Sequence, residues 1–450
     1  MALIKKGNLP MDFITSYKLE NYILDTKWED LPKRVQERAI VCTIDLMMAL
    51  ILGSKGNQFK AGVSLAKNLY KEGDVPVVGL KDKFSVMGAT VAMGHASNSF
   101  DIDDGHNMIK GHPGTSFIAG ILAAALDKDI SYKKFLTTLV IAYETAIRSG
   151  LAMQDHYNFL HSTGAYGAVG TCAGMGRIFG LNKEQLNNAL SIADFHAPLT
   201  PVMRAVEYPS MNKDGVPFGA LVGATALYET LNGSIGKTYT LELKEYEYLL
   251  NSLGLEYEIM NLYFKPYTCC RWAHPAIEAS LSLINGHKID IKDIKFINVR
   301  TFISATRLSK IYPKTTDEAQ YNISYPIAVG IVDGDVGIGQ VIDKNLGRQE
   351  VLEMMAQDST MECVLLNAIL GQLQSLQKES PKLFLKALIC MEKGIKIENM
   401  NNRIFDSLEI TYQEYQNQNE ILHQDISECY DYQYENHGVS EEDWNDKYLS

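Results

Sequence analysis

The chain has 450 residues, of which 46% are hydrophobic and 21% charged, and its formal net charge is −12. This composition is typical of a globular protein with a buried core, and the length predicts two or three domains. Because the chain is acidic and has no block of Lys or Arg, the sequence argues against nucleic acid and anionic membranes as partners. A small anionic substrate stays compatible with it, since a few cations in a pocket outweigh a distant negative surface.

The cysteine pattern and the apolar segments predict a cytoplasmic protein. Seven cysteines are scattered along the chain in odd number, which does not indicate a disulfide framework. The N-terminal residues contain no apolar stretch typical of a signal peptide. The apolar runs around 39–52 and 117–126 are shorter than the roughly 20 residues that span a bilayer.

The first part of the chain, residues 1–264, is predicted to be an all-helical domain. Apolar residues recur there at helical spacing with no intervening strand signal. The expected helices are 38–52, 86–99, 115–126, 132–153, 182–193 and 215–231. Six glycines between 164 and 180 lack the preceding strand of a nucleotide-binding loop, so we interpret them as a thin ridge for close helix packing.

The character of the sequence changes after Lys265. Residues 294–303 and 407–412 are rich in β-branched and aromatic residues, which favours strands, and helices are expected at 350–357 and 383–390. The fold class is therefore predicted as mostly α, with a large all-helical domain and a smaller α+β lid domain at 265–412. Residues 413–450 are polar and acidic and are interpreted as a C-terminal tail.

Three carboxylates and two imidazoles are concentrated just before an apolar helix, at Asp101, Asp103, Asp104, His106 and His112. Buried carboxylates and imidazoles are costly unless they are paired or used, which favours a functional site. Three interpretations stay open on local grounds. They are acid/base chemistry in a metal-free pocket, a divalent metal held by the carboxylates, and a helix cap beside a solvated loop.

Two histidines, His112 and His161, are predicted near helix starts. His112 precedes Pro113 and two capping residues, so its helix offers free N–H groups to a carboxylate, or is simply well capped. His161 is expected to open the Gly-rich helix, where the dipole disfavours its charged form, and a polar cap is an equal alternative.

The segment 265–275 combines cations, thiols and a histidine at the predicted domain junction. Lys265, Arg271 and His274 could reach a shared anion there. Cys269 or Cys270 is a candidate nucleophile, but core packing is the favoured interpretation because free cysteine is commonly buried.

Taken together, four separated motifs resemble the MmgE/PrpD family, which includes 2-methylcitrate dehydratase, cis-aconitate decarboxylase and iminodisuccinate epimerase. The motifs that carry the resemblance occur in the family's order. They are Asp101-Ile102-Asp103-Asp104 with His112-Pro113, Leu160-His161-Ser162-Thr163-Gly164, Lys265-Pro266-Tyr267 with Cys270 and His274, and Ala319-Gln320-Tyr321-Asn322-Ile323-Ser324-Tyr325.

The resemblance implies a homodimeric enzyme with its active site between a helical domain and a lid. It also implies no metal or organic cofactor, and di- or tricarboxylate substrates that lose or gain a proton at carbon beside a carboxylate. The expected catalytic residues are Asp101, His112, His161, Lys265 and Tyr325. The expected substrate-binding residues are Arg204, His106, Lys213 and His274.

Two positions depart from the family's pattern. Gly105 stands where the dehydratase and decarboxylase pattern has Thr, and Arg204 stands where the decarboxylase has a second lysine. An Arg keeps the charge but changes its geometry to a planar fork. We therefore expect a cofactor-free lyase or isomerase that acts as a dehydratase, with decarboxylation or epimerisation as alternatives. A metal-dependent enzyme that uses the 101–106 cluster and a non-catalytic carboxylate-binding protein are the rivals from other classes.

Overall fold

The computed structural model describes residues 12–14, 16–157, 159–207 and 213–356. Within these ranges α-helix is the dominant element, and the predicted mostly-α fold class is confirmed. The α-helices are α1 Lys18–Asp25, α2 Lys33–Gly53, α3 Asn57–Leu69, α4 Val86–Ser97, α5 Pro113–Asp127, α6 Tyr132–His156, α7 Gly164–Phe179, α8 Lys183–Phe195, α9 Met203–Val206, α10 Val216–Leu231, α11 Glu247–Asn251, α12 His274–His287, α13 Ile303–Thr306, α14 Thr316–Gln320, α15 Ser324–Asp333, α16 Ile338–Val341 and α17 Gln349–Ala356.

Short 3-10 segments and two small ladders complete the described elements. The 3-10 segments are Trp28–Asp30, Thr240–Glu242, Lys244–Tyr246, Glu258–Asn261, Arg271–Ala273, Ile291–Asp293 and Asp343–Asn345. The strands are β1 Val75–Pro76, β2 Lys83–Phe84, β3 Gly105–His106 and β4 Leu262–Tyr263. β1 pairs with β2 and β3 with β4, both antiparallel.

The β3–β4 pair brings distant parts of the sequence together at the site. Gly105 lies opposite Tyr263, and His106 lies opposite Leu262. The residues just before β3 and just after β4 are thereby held close together, although more than 150 positions separate them. The pairing explains how Asp101 meets Lys265.

The glycines of α7 form the predicted packing ridge. A Cβ on Gly167 would lie within 3 Å of Ser116 in α5, and one on Gly223 of α10 would lie within 3 Å of the Ala168 carbonyl in α7. Absent side chains therefore let α5, α7 and α10 approach closely and build the helical core around the start of α5.

The structure agrees less closely with the prediction after residue 277. Residues up to Ile277 together with Arg307–Met355 belong to one compact unit, and Glu278–Thr306 belongs to a second unit that continues from Ala356. The structure records neither helix nor strand over 294–302, where a strand was expected. A strand is stabilised by the neighbour that it pairs with, and the expected second strand, 407–412, lies outside the described residues.

The helix expected at 350–357 corresponds to α17. The helix expected at 383–390 and the tail at 413–450 also lie outside the described residues, and the domain boundaries at 264 and 412 stay predictions. No single described helix has both the length and the apolar composition to cross a membrane, whereas α2 and α3, bent by 83°, meet both criteria as a pair.

Candidate active site

The connection from α4 to α5 carries three buried aspartates. Asp101 adopts a positive φ of 51°, which is uncommon for a residue with a side chain. Asp101, Asp103 and Asp104 are each at most 1% exposed. Carboxylates buried this deeply need cations or hydrogen-bond donors, so their partners define the site.

Lys265 is the main partner of Asp101. Its ammonium lies 2.9 Å from Asp101 Oδ1 and donates to the Asp101 backbone carbonyl at 2.8 Å. The side chain of Lys265 is 0% exposed. Burial opposes its charge, but Asp101, Asp103 and Tyr263 together outweigh burial, so the pKa of Lys265 lies well above its ordinary value. The two charges form a buried ion pair.

His112 lies on the other side of Asp101. Its Nδ1 donates to the Asp104 carbonyl at 2.7 Å, which fixes the ring orientation. The other ring nitrogen, Nε2, lies 3.8 Å from Asp101 Oδ1 and 3.9 Å from Asp214 Oδ2. Of these three side chains His112 is the most exposed, at 12%. Its Nε2 is therefore the atom that is placed to exchange a proton with a ligand.

Asp101, Lys265, His112 and Asp214 form a cluster whose members set one another's protonation. Burial tends to raise the pKa of Asp101, but Lys265 and His112 outweigh burial and hold it below the ordinary value. Burial raises the pKa of Asp214, against the attraction of His112. For His112, burial and Lys265 favour the neutral ring, yet Asp103, Asp214 and Asp101 outweigh them and its pKa is raised. The cluster thus keeps Asp101 ionised and favours imidazolium at His112.

Asp103 and Asp104 support the cluster from behind. The Asn98 amide donates to both Asp103 carboxylate oxygens, at 3.1 and 3.3 Å. Asp104 accepts from the Gly114 N–H at 3.2 Å, in the first turn of α5. Burial, then the charge of Asp103, raises the pKa of Asp104 to about 7. These two carboxyl groups hold the loop and the helix start in place.

The structure places two of the expected substrate-binding histidines in other contacts. His106 Nε2 lies 3.3 Å from Glu258, and His274 Nε2 donates to the Cys269 carbonyl at 3.1 Å. Burial, then repulsion by Lys265, lowers the pKa of His274 to about 3. Both histidines are buried, so their expected role in substrate binding is not supported by these contacts.

His161 precedes the helix that it was expected to open, because α7 begins at Gly164. Its ring packs edge-on against Tyr157 and Phe159, and its recorded ring contacts do not include the Asp101 cluster. Burial, rather than a helix dipole, lowers the pKa of His161 to about 4. Its catalytic role stays a prediction.

The two expected substrate-binding cations have different surroundings. The Lys213 ammonium donates to the Ser99 carbonyl, Asp317 and Gln320 at 2.9–3.3 Å. Arg204 is exposed on α9, and no ion pair of its guanidinium is recorded within the described ranges. Lys213 thus fastens the 317–320 segment beside the cluster.

The sequence analysis did not identify two residues at this site, Asp214 and Tyr321. The Tyr321 hydroxyl donates to Asp214 at 3.3 Å, whereas the predicted Tyr325 donates to the Gln340 carbonyl at 2.7 Å. Tyr321 was inside the quoted motif, four residues before Tyr325, and Asp214 directly follows Lys213. These positions beside predicted site residues were the only sequence signal for Asp214 and Tyr321. The local sequence does not indicate that Asp214 faces His112.

The structure bears on two other interpretations of the sequence, a cysteine nucleophile and a metal site. Burial raises the pKa of Cys270 to about 12, which favours packing over nucleophilic chemistry. Asp101, His112 and Asp214 each offer a ligand atom, all within 4.8 Å of one another. These three candidate ligands differ from the 101–106 cluster expected from the sequence, because His106 faces Glu258. In addition, the Lys265 ammonium already supplies a positive charge to Asp101.

We predict that Lys265→Met destabilises the fold more than the double variant Lys265→Met/Asp101→Asn. Removal of one partner leaves a buried charge uncompensated, which costs about 3–5 kcal/mol, whereas removal of both charges avoids that cost. Thermal unfolding of the two variants and of Asp101→Asn at pH 7 measures the difference. Equal stability of Lys265→Met and Lys265→Met/Asp101→Asn would contradict the buried ion pair.

Comparison with known proteins identifies the family of the chain. The model of the MmgE/PrpD N-terminal domain matches residues 17–248, and that of the MmgE/PrpD C-terminal domain matches residues 267–369. Two curated relatives are cis-aconitate decarboxylases from Aspergillus terreus and from its strain NIH 2624. Each is 22% identical over 363 residues, which cover 72% of this chain and 74% of the relative. The two domain matches confirm the resemblance noted from the sequence motifs: the chain belongs to the MmgE/PrpD family.

Proposed function

We propose that the protein is a cofactor-free lyase or isomerase that moves a proton at carbon beside a carboxylate of a small di- or tricarboxylate. The observation that carries the proposal is His112, held by the Asp104 carbonyl with its Nε2 between Asp101 and Asp214. Membership of the family and the named activity of the two relatives support the same class of reaction.

His112 has the geometry of a group that donates and accepts a proton at one atom. With Nδ1 committed to a backbone carbonyl, its exchange takes place at Nε2. The surrounding carboxylates raise its pKa, so the imidazolium is available as a general acid near neutral pH. After the proton leaves, the neutral ring can accept one from a later substrate.

Lys265 acts through Asp101 in this proposal. The ammonium keeps Asp101 ionised. The Asp101 carboxylate then joins Asp103 and Asp214 in stabilising the charged form of His112, which Lys265 itself opposes. Lys265 is thus a positioning residue. A separate carboxylate, Asp214, is the stronger base of the two, because burial raises its pKa. The Tyr321 hydroxyl donates to Asp214 and holds it in place.

An acid and a base on the same substrate suit dehydration. Asp214 removes the proton from carbon, and His112 protonates the hydroxyl that leaves as water. Decarboxylation, the activity that the relatives' name states, needs His112 alone to protonate the carbanion left after loss of CO₂. Epimerisation removes the proton from one carbon and returns a proton to the opposite face of that carbon. Dehydration is the expected reaction, and the other two are alternatives within the same chemistry.

We further propose a homodimer in the cytoplasm that takes a small polycarboxylate as its partner, and neither nucleic acid nor membrane. These statements follow from the composition and from the family resemblance.

We predict that His112→Asn lowers kcat/KM by about 10²–10⁴-fold, the contribution typical of a general acid or base. Proton NMR in deuterated water, with citrate, 2-methylcitrate, cis-aconitate and iminodisuccinate, detects both turnover and deuterium gained at the carbon beside a carboxylate. His196→Asn is the matched control, because His196 is exposed at the end of α8, and it should react at the wild-type rate. Wild-type activity in His112→Asn would contradict the proposal.

We also predict that activity survives exhaustive chelation, because Lys265 supplies the positive charge beside Asp101. Enzyme dialysed against EDTA should retain its rate in the same NMR assay. A loss that Mg²⁺ or Mn²⁺ restores would instead support a metal held by Asp101, His112 and Asp214.

A further inference from the structure

Two lysines beside the Asp101 cluster, Lys265 and Lys213, are already bound to oxygens of the protein. Lys265 is fully buried against Asp101, and Lys213 already donates to three oxygens. A polycarboxylate would bring at least two negative charges beside Asp101 and Asp214. An unpaired cation within reach of the cluster is therefore needed to hold it.

Arg271 is the candidate for this cation, because its charge acts on Tyr263 together with the charges of Lys265 and Asp101. It begins the 3-10 segment Arg271–Ala273, six residues after Lys265, and its side chain is half-buried. Its guanidinium lies over the Tyr263 ring, 5.1 Å from the centroid. Across the described ranges no carboxylate is recorded as its partner, in contrast to Arg307 and Arg348, which form ion pairs. The cation–π contact holds the guanidinium beside the ring without using its N–H groups as hydrogen-bond donors to a carboxylate.

Tyr263 supplies a second donor at the same place. It stands opposite Gly105 in the β3–β4 pair, and a Cβ at position 105 would lie within 3 Å of the phenol carbon and hydroxyl. The ring therefore occupies space that a side chain at 105 would fill. No hydrogen bond of its hydroxyl is recorded with any residue that the structure describes.

The charges around Tyr263 connect this pair to the cluster. Lys265, Arg271 and Asp101 all act electrostatically on the phenol, and burial is the largest influence on it. Burial raises the pKa of Tyr263, so the hydroxyl stays protonated and is a donor at neutral pH. A guanidinium and a neutral O–H donor together match a carboxylate, which only accepts.

We propose that Arg271 and the Tyr263 hydroxyl form a subsite for a substrate carboxylate other than the one beside the reacting carbon. The subsite makes the protein selective for substrates with an additional carboxylate, such as tricarboxylates. This inference rests on the proposed function, since it assigns the binding contact for the same substrate class.

The test compares two probes by isothermal titration calorimetry, citrate and citramalate, in which a methyl replaces one carboxymethyl group of citrate. Wild-type protein should bind citrate at least tenfold more tightly than citramalate. Arg271→Met should weaken citrate binding about 10–150-fold, the range for a lost charged hydrogen bond, and bring the citramalate-to-citrate ratio of Kd near one. Tyr263→Phe keeps the stacked ring and should reduce the ratio by a smaller factor.

Arg307→Met is the matched control, because Arg307 is exposed and paired with Glu207, and it should keep the wild-type ratio. Arg271→Lys, which retains a cation without the fork, provides the measurement if the methionine variant does not fold, and its ratio should also fall. An unchanged ratio in a folded Arg271 variant would overturn the subsite while leaving the proposed function intact. Failure of the wild-type protein to bind either probe would count against the proposed function, and the subsite with it.

Discussion

The buried ion pair between Lys265 and Asp101 is the interaction on which the rest of the site depends. Neither charge is stable alone at this depth, and the 2.9 Å contact compensates both. Asp103, Asp214 and the ionised Asp101 together favour the charged form of the His112 ring, despite burial and despite repulsion by Lys265. The protonation of the cluster therefore depends on this ion pair, between residues that lie 164 positions apart, together with the charges of Asp103 and Asp214.

The fold serves that contact in two ways. The β3–β4 ladder fixes Gly105 against Tyr263, which brings the α4–α5 connection to the segment that follows β4. Asp104 holds the start of α5 with its carboxylate and orients the His112 ring with its backbone carbonyl. Close packing of α5 on the glycines of α7 keeps this helix start in place. A rigid helical core thus holds the charged groups of the site at fixed distances from one another.

The sequence predicts the helices and the centre of the site, but not all of its members. Apolar periodicity identifies helices such as α6 because each buries one face, and the density of Asp and His marks the 101–112 region. The role of Asp214 depends on tertiary packing against His112, which no local pattern contains. Tyr325 was predicted in place of Tyr321, since both share a motif and only the folded chain separates their hydroxyls.

The pKa of His112 reports how the neighbouring carboxylates set the charge of its ring. Histidine-labelled protein, titrated by NMR with His112→Asn to assign the signal, gives this value in the wild type and in Asp101→Asn. The account predicts a wild-type value above the ordinary 6.5. It predicts a lower value in Asp101→Asn, because that variant loses an attractive charge and leaves repulsion by Lys265 uncompensated. The same pKa in both proteins would contradict the claim that the Asp101 carboxylate stabilises the charged form of His112.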